Sequence, residues 1–509
     1  MPTLNTIKAI LILVVCCSCL ITRMGAVETP SRPPDKSEIQ LPAPVIDSQI
    51  PDEVTFGPGV ESAETARPFF DYFSWQSFVA LNWPAAIGAD GKAVRGVPST
   101  DSAMKIGNPG VRVWESYKTD WELFRPGGKA PTPWSSYDLP LGSPSPCGDP
   151  GESKTLAMVT KMDSVLDGIN QAFSHPLVDQ NRNYVRYEIH VNQPYYQKVV
   201  DKQWYRVDQQ SKDPSNPNEF PNRVIEIKAA WKELVAGTDD PSRFYTTDAL
   251  IFEPAGSPKC RSAKMGLIGF HIANKEKHHR EWIWSTFEHV DNVPEGTPVS
   301  GLKYSLHNGT NIPSSLPGYD HRPEKINETK PFPVSGDLQR NPVQVSRLTP
   351  LSDGQVAPTT EQMNAKWQQA LAGTVWQFYK LVSTQWPIVQ DGQDFKVGPP
   401  GTGTFPKNSD SPFPAAKVAN STMETYVQKN SCMKCHYLAS QDDFSFLLSE
   451  RAFTPPPPVN ALMTAAKRAK QISDDRISKS PILQSLRAAM LMIDKETMLP
   501  AKKNRRQRR

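Results

Sequence analysis

The chain has 509 residues, of which 49 are proline and 12 are tryptophan, and its formal net charge is +4. The basic tail at residues 501–509 contains six lysines and arginines, so the remainder of the chain is close to neutral. A basic run at a chain end is typical of a solvated end, and an exported protein seldom meets nucleic acid. We therefore expect no nucleic-acid partner.

The N-terminal residues 1–26 have the pattern of a secretory signal peptide. A short basic lead precedes an apolar run at residues 9–21, and the small residue Ala26 follows at a position suited to cleavage. The run is short for a membrane span, and no later stretch reaches about 18 consecutive apolar residues. We expect export, a periplasmic location and no integral span after cleavage. A retained anchor, or a lipid on a cysteine of the apolar run, is the competing interpretation.

After the signal peptide, a proline-rich leader precedes the first predicted helix. Residues 27–62 are rich in proline and small polar residues and predict an extended leader. At residues 69–83 apolar side chains recur at three- and four-residue steps, which predicts a buried helix that ends before Pro84.

Strands dominate the middle of the chain. After a predicted helix at residues 158–172, β-branched and aromatic residues occur in five runs bordered by turn residues. The predicted strands are residues 183–192, 223–231, 243–252, 264–274 and 280–290. Tryptophan and leucine at helical spacing predict a further buried helix at residues 361–382.

One short motif carries the most specific chemistry. Cys432, Cys435 and His436 form a C-x-x-C-H sequence, whose thiols are spaced to bond the two vinyl groups of haem while the histidine lies beneath the iron. A capping-box pattern at residues 421–424 predicts a helix that leads into the motif. The motif predicts one covalent haem c, bound through Cys432, Cys435 and His436, with His436 as the iron ligand.

The other interpretations of these cysteines are weaker. A structural zinc site would need a second cysteine pair, and a thiol oxidoreductase would need a βαβ setting, neither of which the sequence shows. Cys147 and Cys260 are the remaining cysteines after the signal segment. They are candidates for a disulfide, which would stabilise the fold by ~5 kcal/mol in the chain-entropy model.

The second axial position of the iron is left open by the sequence. A methionine or histidine there makes an electron carrier, whereas an open position permits ligand binding or catalysis. The candidate ligands are Met423, Met463, Met490, Met492, Met498, His271 and His289. Helical spacing around Met490 and Met492 favours a core role for both. A lone histidine in a strand is more often an ordinary core or surface residue.

A second polar cluster, formed by Glu288, His289 and Asp291, lies at the end of the last of the five predicted strands. Titratable groups at strand ends are often found at binding sites. Strand alternation places Glu288 and His289 on opposite faces, so we do not include the cluster among the site residues.

Eight segments carry a family resemblance. They are residues 73–84, 113–118, 176–192, 225–234, 266–275, 282–294, 383–387 and 419–448. In these segments the chain resembles large bacterial monohaem cytochrome c family proteins of uncertain function. The resemblance implies a periplasmic haem protein whose haem segment is joined to a large domain peculiar to the family. It names no substrate, only the C-x-x-C-H residues carry over as functional, and the tail from Thr454 departs from the pattern.

The predicted fold is α+β, with a large β-rich mixed domain followed by a small, mainly α-helical c-type haem module. The expected organisation is a signal peptide at 1–26, an extended leader at 27–62, the large mixed domain at 63–390, a linker at 391–414, the haem module at 415–500 and the basic tail at 501–509.

Three functions agree with this organisation. The first is electron transfer through the haem to a redox partner protein. The second is a haem-dependent oxidoreductase, peroxidase-like or oxidising a small-molecule substrate, with an open or displaceable iron position. The third is a haem-based sensor. The size of the large domain favours an enzyme, because a simple electron carrier does not need it, but the sequence identifies no catalytic residue.

Overall fold

We describe the fold from a computed structural model. The described residues are 39–137, 154–155, 177–252, 260–277, 282–309, 342–386 and 420–453, apart from positions 59, 61–62, 214, 353–354, 356, 427 and 429–431. The chain divides into two units between Gln40 and Leu41, and the fold below is that of the second. The predicted signal peptide, helix 158–172, linker and basic tail lie outside the described residues.

Six α-helices occur within these residues. They are α1 (Ala63–Leu81), α2 (Asp120–Leu123), α3 (Gln193–Asp201), α4 (Thr360–Ala370), α5 (Cys432–His436) and α6 (Phe446–Arg451). Helix α1 confirms the helix predicted at residues 69–83, and it is buried on all sides over most of its length, as expected of a helix in a core. None of the described helices is both long and apolar enough to cross a membrane.

The strands of the described residues form two sheets. Strands β1 (Ala85–Ile87) and β2 (Ala93–Pro98) form a small antiparallel pair. The large sheet contains β3 (Lys118–Thr119), β4 (Lys154–Thr155), β5 (Arg186–Val191), β6 (Val224–Glu233), β7 (Thr246–Phe252), β8 (Cys260–Lys275), β9 (Ile283–His289) and β10 (Tyr379–Gln385). Its main order is β10-β9-β8-β6-β5-β3; β7 pairs with β8, and β4 lies parallel to β7. Strands β5 to β9 confirm the five predicted strands.

The helix predicted at residues 361–382 is wrong in its second half. Helix α4 ends at Ala370, and Gly373, with a left-handed φ of 83°, precedes a short 3-10 helix at Val375–Phe378. Strand β10 follows and pairs with β9 at the edge of the large sheet. The apolar residues of this stretch fit both periodicities, and pairing with the available sheet edge favours the strand.

One face of the large sheet, here called the helix face, is covered by α1 and α4. Phe270 of β8 and Phe287 of β9 are paired across the strands, and both contact Phe78 of α1, with ring centroids 5.8 and 4.4 Å apart. Trp75 of α1 stacks on Trp367 of α4 at 5.7 Å. All five side chains are fully buried, so this face is stabilised mainly by the removal of apolar surface from water.

The opposite face, here called the segment face, is covered by residues 420–453, the C-terminal segment. Because side chains alternate along a strand, His271, which follows Phe270, and Thr286, which precedes Phe287, point to this face. Asn420 donates a hydrogen bond from Nδ2 to Thr286 Oγ1 (2.9 Å). The described residues therefore form the predicted α+β fold. The separate haem module predicted at residues 415–500 is not confirmed, because its residues 454–500 lie outside the described residues.

Two apolar clusters attach the C-terminal segment to the sheet. In the first, Phe444, Leu447 and Leu448 pack with Trp284 of β9 and residues of α3. In the second, Met423 packs among strand residues that include Tyr187 and Ala230. The segment is therefore part of the same packed unit as the sheet.

Candidate haem site

The C-x-x-C-H motif forms helix α5 and lies against strands β9 and β10. The backbone N–H of Cys432 donates to Gln385 Oε1 at the end of β10 (2.9 Å). The imidazole of His436 lies 3.9 Å from the ring of Trp284 on β9, measured between centroids, and 4.9 Å from that of Phe446. The motif is thus held by the sheet on one side and by the following helix on the other.

The capping-box helix predicted at residues 421–424 is wrong. Residues 420–426 form turns instead. Ser421 donates from both its N–H and its hydroxyl to Glu288 Oε2 (2.9 and 2.8 Å), and Glu424 Oε2 accepts from the N–H of Asn420 (3.0 Å). A carboxylate from β9 therefore takes the partner that a capping box would give to Glu424.

The orientation of His436 is fixed by the backbone of the C-terminal segment. Its Nδ1 lies 2.7 Å from the carbonyl oxygen of Phe444. A carbonyl only accepts, so Nδ1 carries the proton and Nε2 keeps its lone pair. Histidines that bind metals usually have this arrangement, in which one ring nitrogen donates to a carbonyl and the other binds the ion.

The carbonyl that orients His436 belongs to a pair of unusual backbone residues. Asp443 and Phe444 both have left-handed φ values, 53° and 67°, which cost free energy for residues other than glycine. Asp443 Oδ2 accepts from the N–H of Phe220 (2.8 Å) and from Lys275 Nζ (2.5 Å), and these contacts hold the turn. Backbone strain of this kind is concentrated at functional sites.

The two motif thiols are not joined in a disulfide. Burial raises the pKa of Cys432 well above the usual thiol value, and Glu424 and Cys435 raise it further. A raised pKa disfavours the thiolate on which thiol–disulfide exchange depends, so the surroundings of Cys432 do not suit a redox-active cysteine pair. Cys260 of β8, in contrast, is disulfide-bonded, and Cys147 lies outside the described residues.

Several titratable side chains of the sheet lie on the same face as the motif. Glu226 and Lys228 of β6 project to the segment face, and Ser445 donates its hydroxyl proton to Glu226 Oε2 (2.7 Å). Burial raises the pKa of Glu226 to about 7 and lowers the pKa of Lys228. The pKa of Glu424 is lowered: burial raises it, but His271, the N–H of Asn420 and Lys228 lower it by more.

These side chains form a cluster between the sheet and the C-terminal segment. His271 belongs to it, because it is paired in register with Lys228 and its Nε2 lies 3.6 Å from Glu424 Oε1. Each member keeps part of its surface accessible. We call Glu226, Lys228, Glu424, His436 and His271 the motif cluster.

The described candidates for the second iron ligand differ in their surroundings. Met423 is buried in the core, as a structural role predicts. His289 donates from Nε2 to the carbonyl of Arg243 (2.9 Å) and accepts at Nδ1 from the N–H of Asp291 (3.1 Å), so both nitrogens are used. His271 alone of the three belongs to the motif cluster. Met463, Met490, Met492 and Met498 lie outside the described residues.

The cluster of Glu288, His289 and Asp291 does not form one site. Glu288 pairs with Arg347 on the segment face, whereas Asp291 forms an ion pair with Arg243 (2.6 Å). Burial lowers the pKa of His289 to about 4, and its ring stacks on Phe244 at 4.1 Å. The structure therefore separates Glu288 from His289 and Asp291, which contact each other and share Arg243 as a partner.

The residues near the motif fit a c-type haem in their chemistry. Such a haem takes two thiols and one imidazole from the protein, and Cys432, Cys435 and His436 offer these from a single short helix. Trp284 and Phe446 give the imidazole an aromatic wall. Among the residues described, no group of three or more histidine, cysteine or acidic side chains is arranged around a bare metal ion, an arrangement that a haem does not need.

Sequence analysis missed several residues of this site. Trp284 and Gln385 contact the motif from strands far away in sequence, and the turn at Asp443 and Phe444 supplies the carbonyl to His436. Only the adjacent acidic pair in QDDF, after the motif, is a local sign of a turn. Comparisons with protein-family models, curated proteins and solved structures found no match.

Proposed function

We propose that the chain is an exported, periplasmic monohaem c-type cytochrome that transfers electrons through one haem bound at Cys432, Cys435 and His436. The observation that carries the proposal is the hydrogen bond that orients the His436 imidazole. Its Nδ1 donates to the Phe444 carbonyl, so Nε2 is available to the iron of a haem bonded to the two cysteines. When bound, the haem supplies a one-electron couple; the protein binds it, orients the ligand and limits access of water.

The setting of the motif supports electron transfer in two further ways. The site is built from strands and short helices of one packed unit, so the motif has a fixed position against β9 and β10. The motif residues also keep accessible surface, so an electron does not have to cross a thick layer of protein to reach a redox partner. The resemblance to monohaem cytochromes agrees with this proposal.

A second candidate is a haem-dependent oxidoreductase. It is favoured by Glu226 of the motif cluster, whose pKa burial raises to about 7. A carboxyl group with a pKa near neutrality is suited to proton transfer at a reacting centre. In this hypothesis the large domain would bind a small-molecule substrate beside the haem.

Spectroelectrochemistry of the full chain tests the proposal. The protein should be exported in a host that matures c-type haem, with a known cytochrome c as positive control. We expect one haem for each chain and reversible one-electron reduction without added substrate. A Cys432→Ala, Cys435→Ala double variant should lack covalent haem. Wild-type protein without haem would contradict the proposal, and turnover of a peroxide or small molecule would favour the oxidoreductase.

A further inference from the structure

His271 occupies the centre of the segment face. On β8 it pairs in register with Lys228 of β6 and Thr286 of β9, so three central strands hold its backbone. It belongs to the motif cluster, and its partner Thr286 is two residues from Trp284, whose ring lies 3.9 Å from the imidazole of His436. The imidazole of His271 is therefore carried by a central strand, on the face of the sheet that holds the motif.

The Nε2 atom of His271 has no hydrogen-bond partner among the described residues, although the atom is buried. The carboxylate oxygen Glu424 Oε1 lies 3.6 Å away, which is beyond a normal hydrogen bond. Buried polar atoms without a partner are rare and costly, and each needs an explanation. A missing metal partner is one such explanation.

Two other buried histidines of the described chain show the usual pattern. His190 uses both ring nitrogens, at 3.3 Å from the Tyr117 carbonyl and 3.0 Å from Glu188. His289 also uses both. His271 differs from them in the one atom with which a histidine binds iron.

We propose that Nε2 of His271 is the second axial ligand of the iron, opposite His436. This inference rests on the proposed function, because it requires the haem. Ligation needs the neutral imidazole with its proton on Nδ1. The large domain would thus complete the haem site and would not act only as a support.

Bis-histidine ligation has two consequences. With both axial positions filled, the haem is low-spin and does not bind carbon monoxide readily, which suits electron transfer rather than sensing. Its reduction potential should also be lower than that of a cytochrome with histidine and methionine ligands, because a methionine ligand raises the potential.

The test compares visible spectra of exported full-length protein, oxidised and reduced, with and without carbon monoxide. Wild type should be low-spin and indifferent to carbon monoxide. His271→Gly should become high-spin and shift with carbon monoxide, and added imidazole should restore the low-spin spectrum. His271→Met should stay low-spin with a higher reduction potential. His289→Gln is the matched control, since the glutamine amide can still donate to the Arg243 carbonyl, and its spectrum should equal that of wild type.

The possible outcomes separate the two proposals. Wild-type protein without covalent haem would overturn the proposed function and the inference with it. Covalent haem that is high-spin and binds carbon monoxide in wild type would overturn the role of His271 alone. A low-spin spectrum that persists in His271→Gly without imidazole would do the same. If His271→Gly fails to mature, the potential of His271→Met decides: an unchanged potential contradicts ligation.

Discussion

The two faces of the large sheet are covered in different ways. The helix face buries aromatic rings, such as Trp75 and Phe78, against α1 and α4. The segment face is covered by turns and short helices, which are joined to the sheet by side-chain hydrogen bonds and buried ion pairs as well as by apolar contacts. The first arrangement stabilises the fold, and the second brings chemically active groups together.

The helix face should show the largest loss of stability on mutation. Trp75→Ala removes a fully buried ring that stacks on Trp367, and we expect the free energy of unfolding to fall by about 4 kcal/mol. Denaturant unfolding measures this loss. Trp75→Phe, which keeps most of the apolar volume, should lose clearly less. Equal losses for the two variants would contradict a role based on packing.

On the segment face, mutation of the buried ion pair should cause the largest loss of stability. Lys275 and Asp443 are 2.5 Å apart and have side chains only 2% and 5% exposed. Lys275→Met leaves the Asp443 carboxylate buried without its cation, which should cost about 3 kcal/mol. Hydrogen exchange in residues 437–448 should also become faster.

A neighbouring lysine provides the control for that variant. Lys277 pairs with Glu53 at 3.3 Å, but both side chains are largely exposed, at 61% and 43%. Exposed pairs contribute little, so Lys277→Met should leave stability and exchange almost unchanged. Similar effects in both variants would mean that the Lys275 pair does not hold the segment.

The helix face should respond to acid through His289. Burial holds its pKa at about 4 in the folded protein, below the usual value of 6.5, so the unfolded chain takes up a proton first as the pH falls. The contribution of neutral His289 to the free energy of unfolding is complete above about pH 6.5 and is lost as the pH falls towards 4. The stability difference between wild type and His289→Gln should therefore narrow by about 2 kcal/mol between about pH 8 and pH 5. A constant difference would show that His289 is already accessible to protons.

The C-terminal segment packs tightly against the backbone of the sheet at Gly269. A Cβ atom there would lie 2.1 Å from Thr422 Oγ1, so Gly269→Ala should push the segment away and cost about 1.5 kcal/mol. Gly296 has open space around it and serves as the control. If both alanine variants unfold at the same denaturant concentration, the segment is not in close contact at Gly269.

Sequence analysis predicted the parts of the molecule that depend on local pattern. Helix α1 and strands β5 to β9 follow periodicities of apolar residues within single segments. The capping box at 421–424 failed because Ser421 binds Glu288 of β9, a partner that no local pattern reveals. The C-x-x-C-H motif is a local pattern and was evident from the sequence. The Phe444 carbonyl, Trp284 and the unpartnered Nε2 of His271 reach the site only through the fold, so the sequence did not reveal them.

The most direct test of the account is the mass of the exported, intact chain, followed by peptide mapping. We predict that the mature protein carries the mass of one haem, and that this mass maps to the peptide containing Cys432, Cys435 and His436. A mature chain without haem, in which both cysteines react with alkylating reagent while a control cytochrome matures in the same host, would contradict the account.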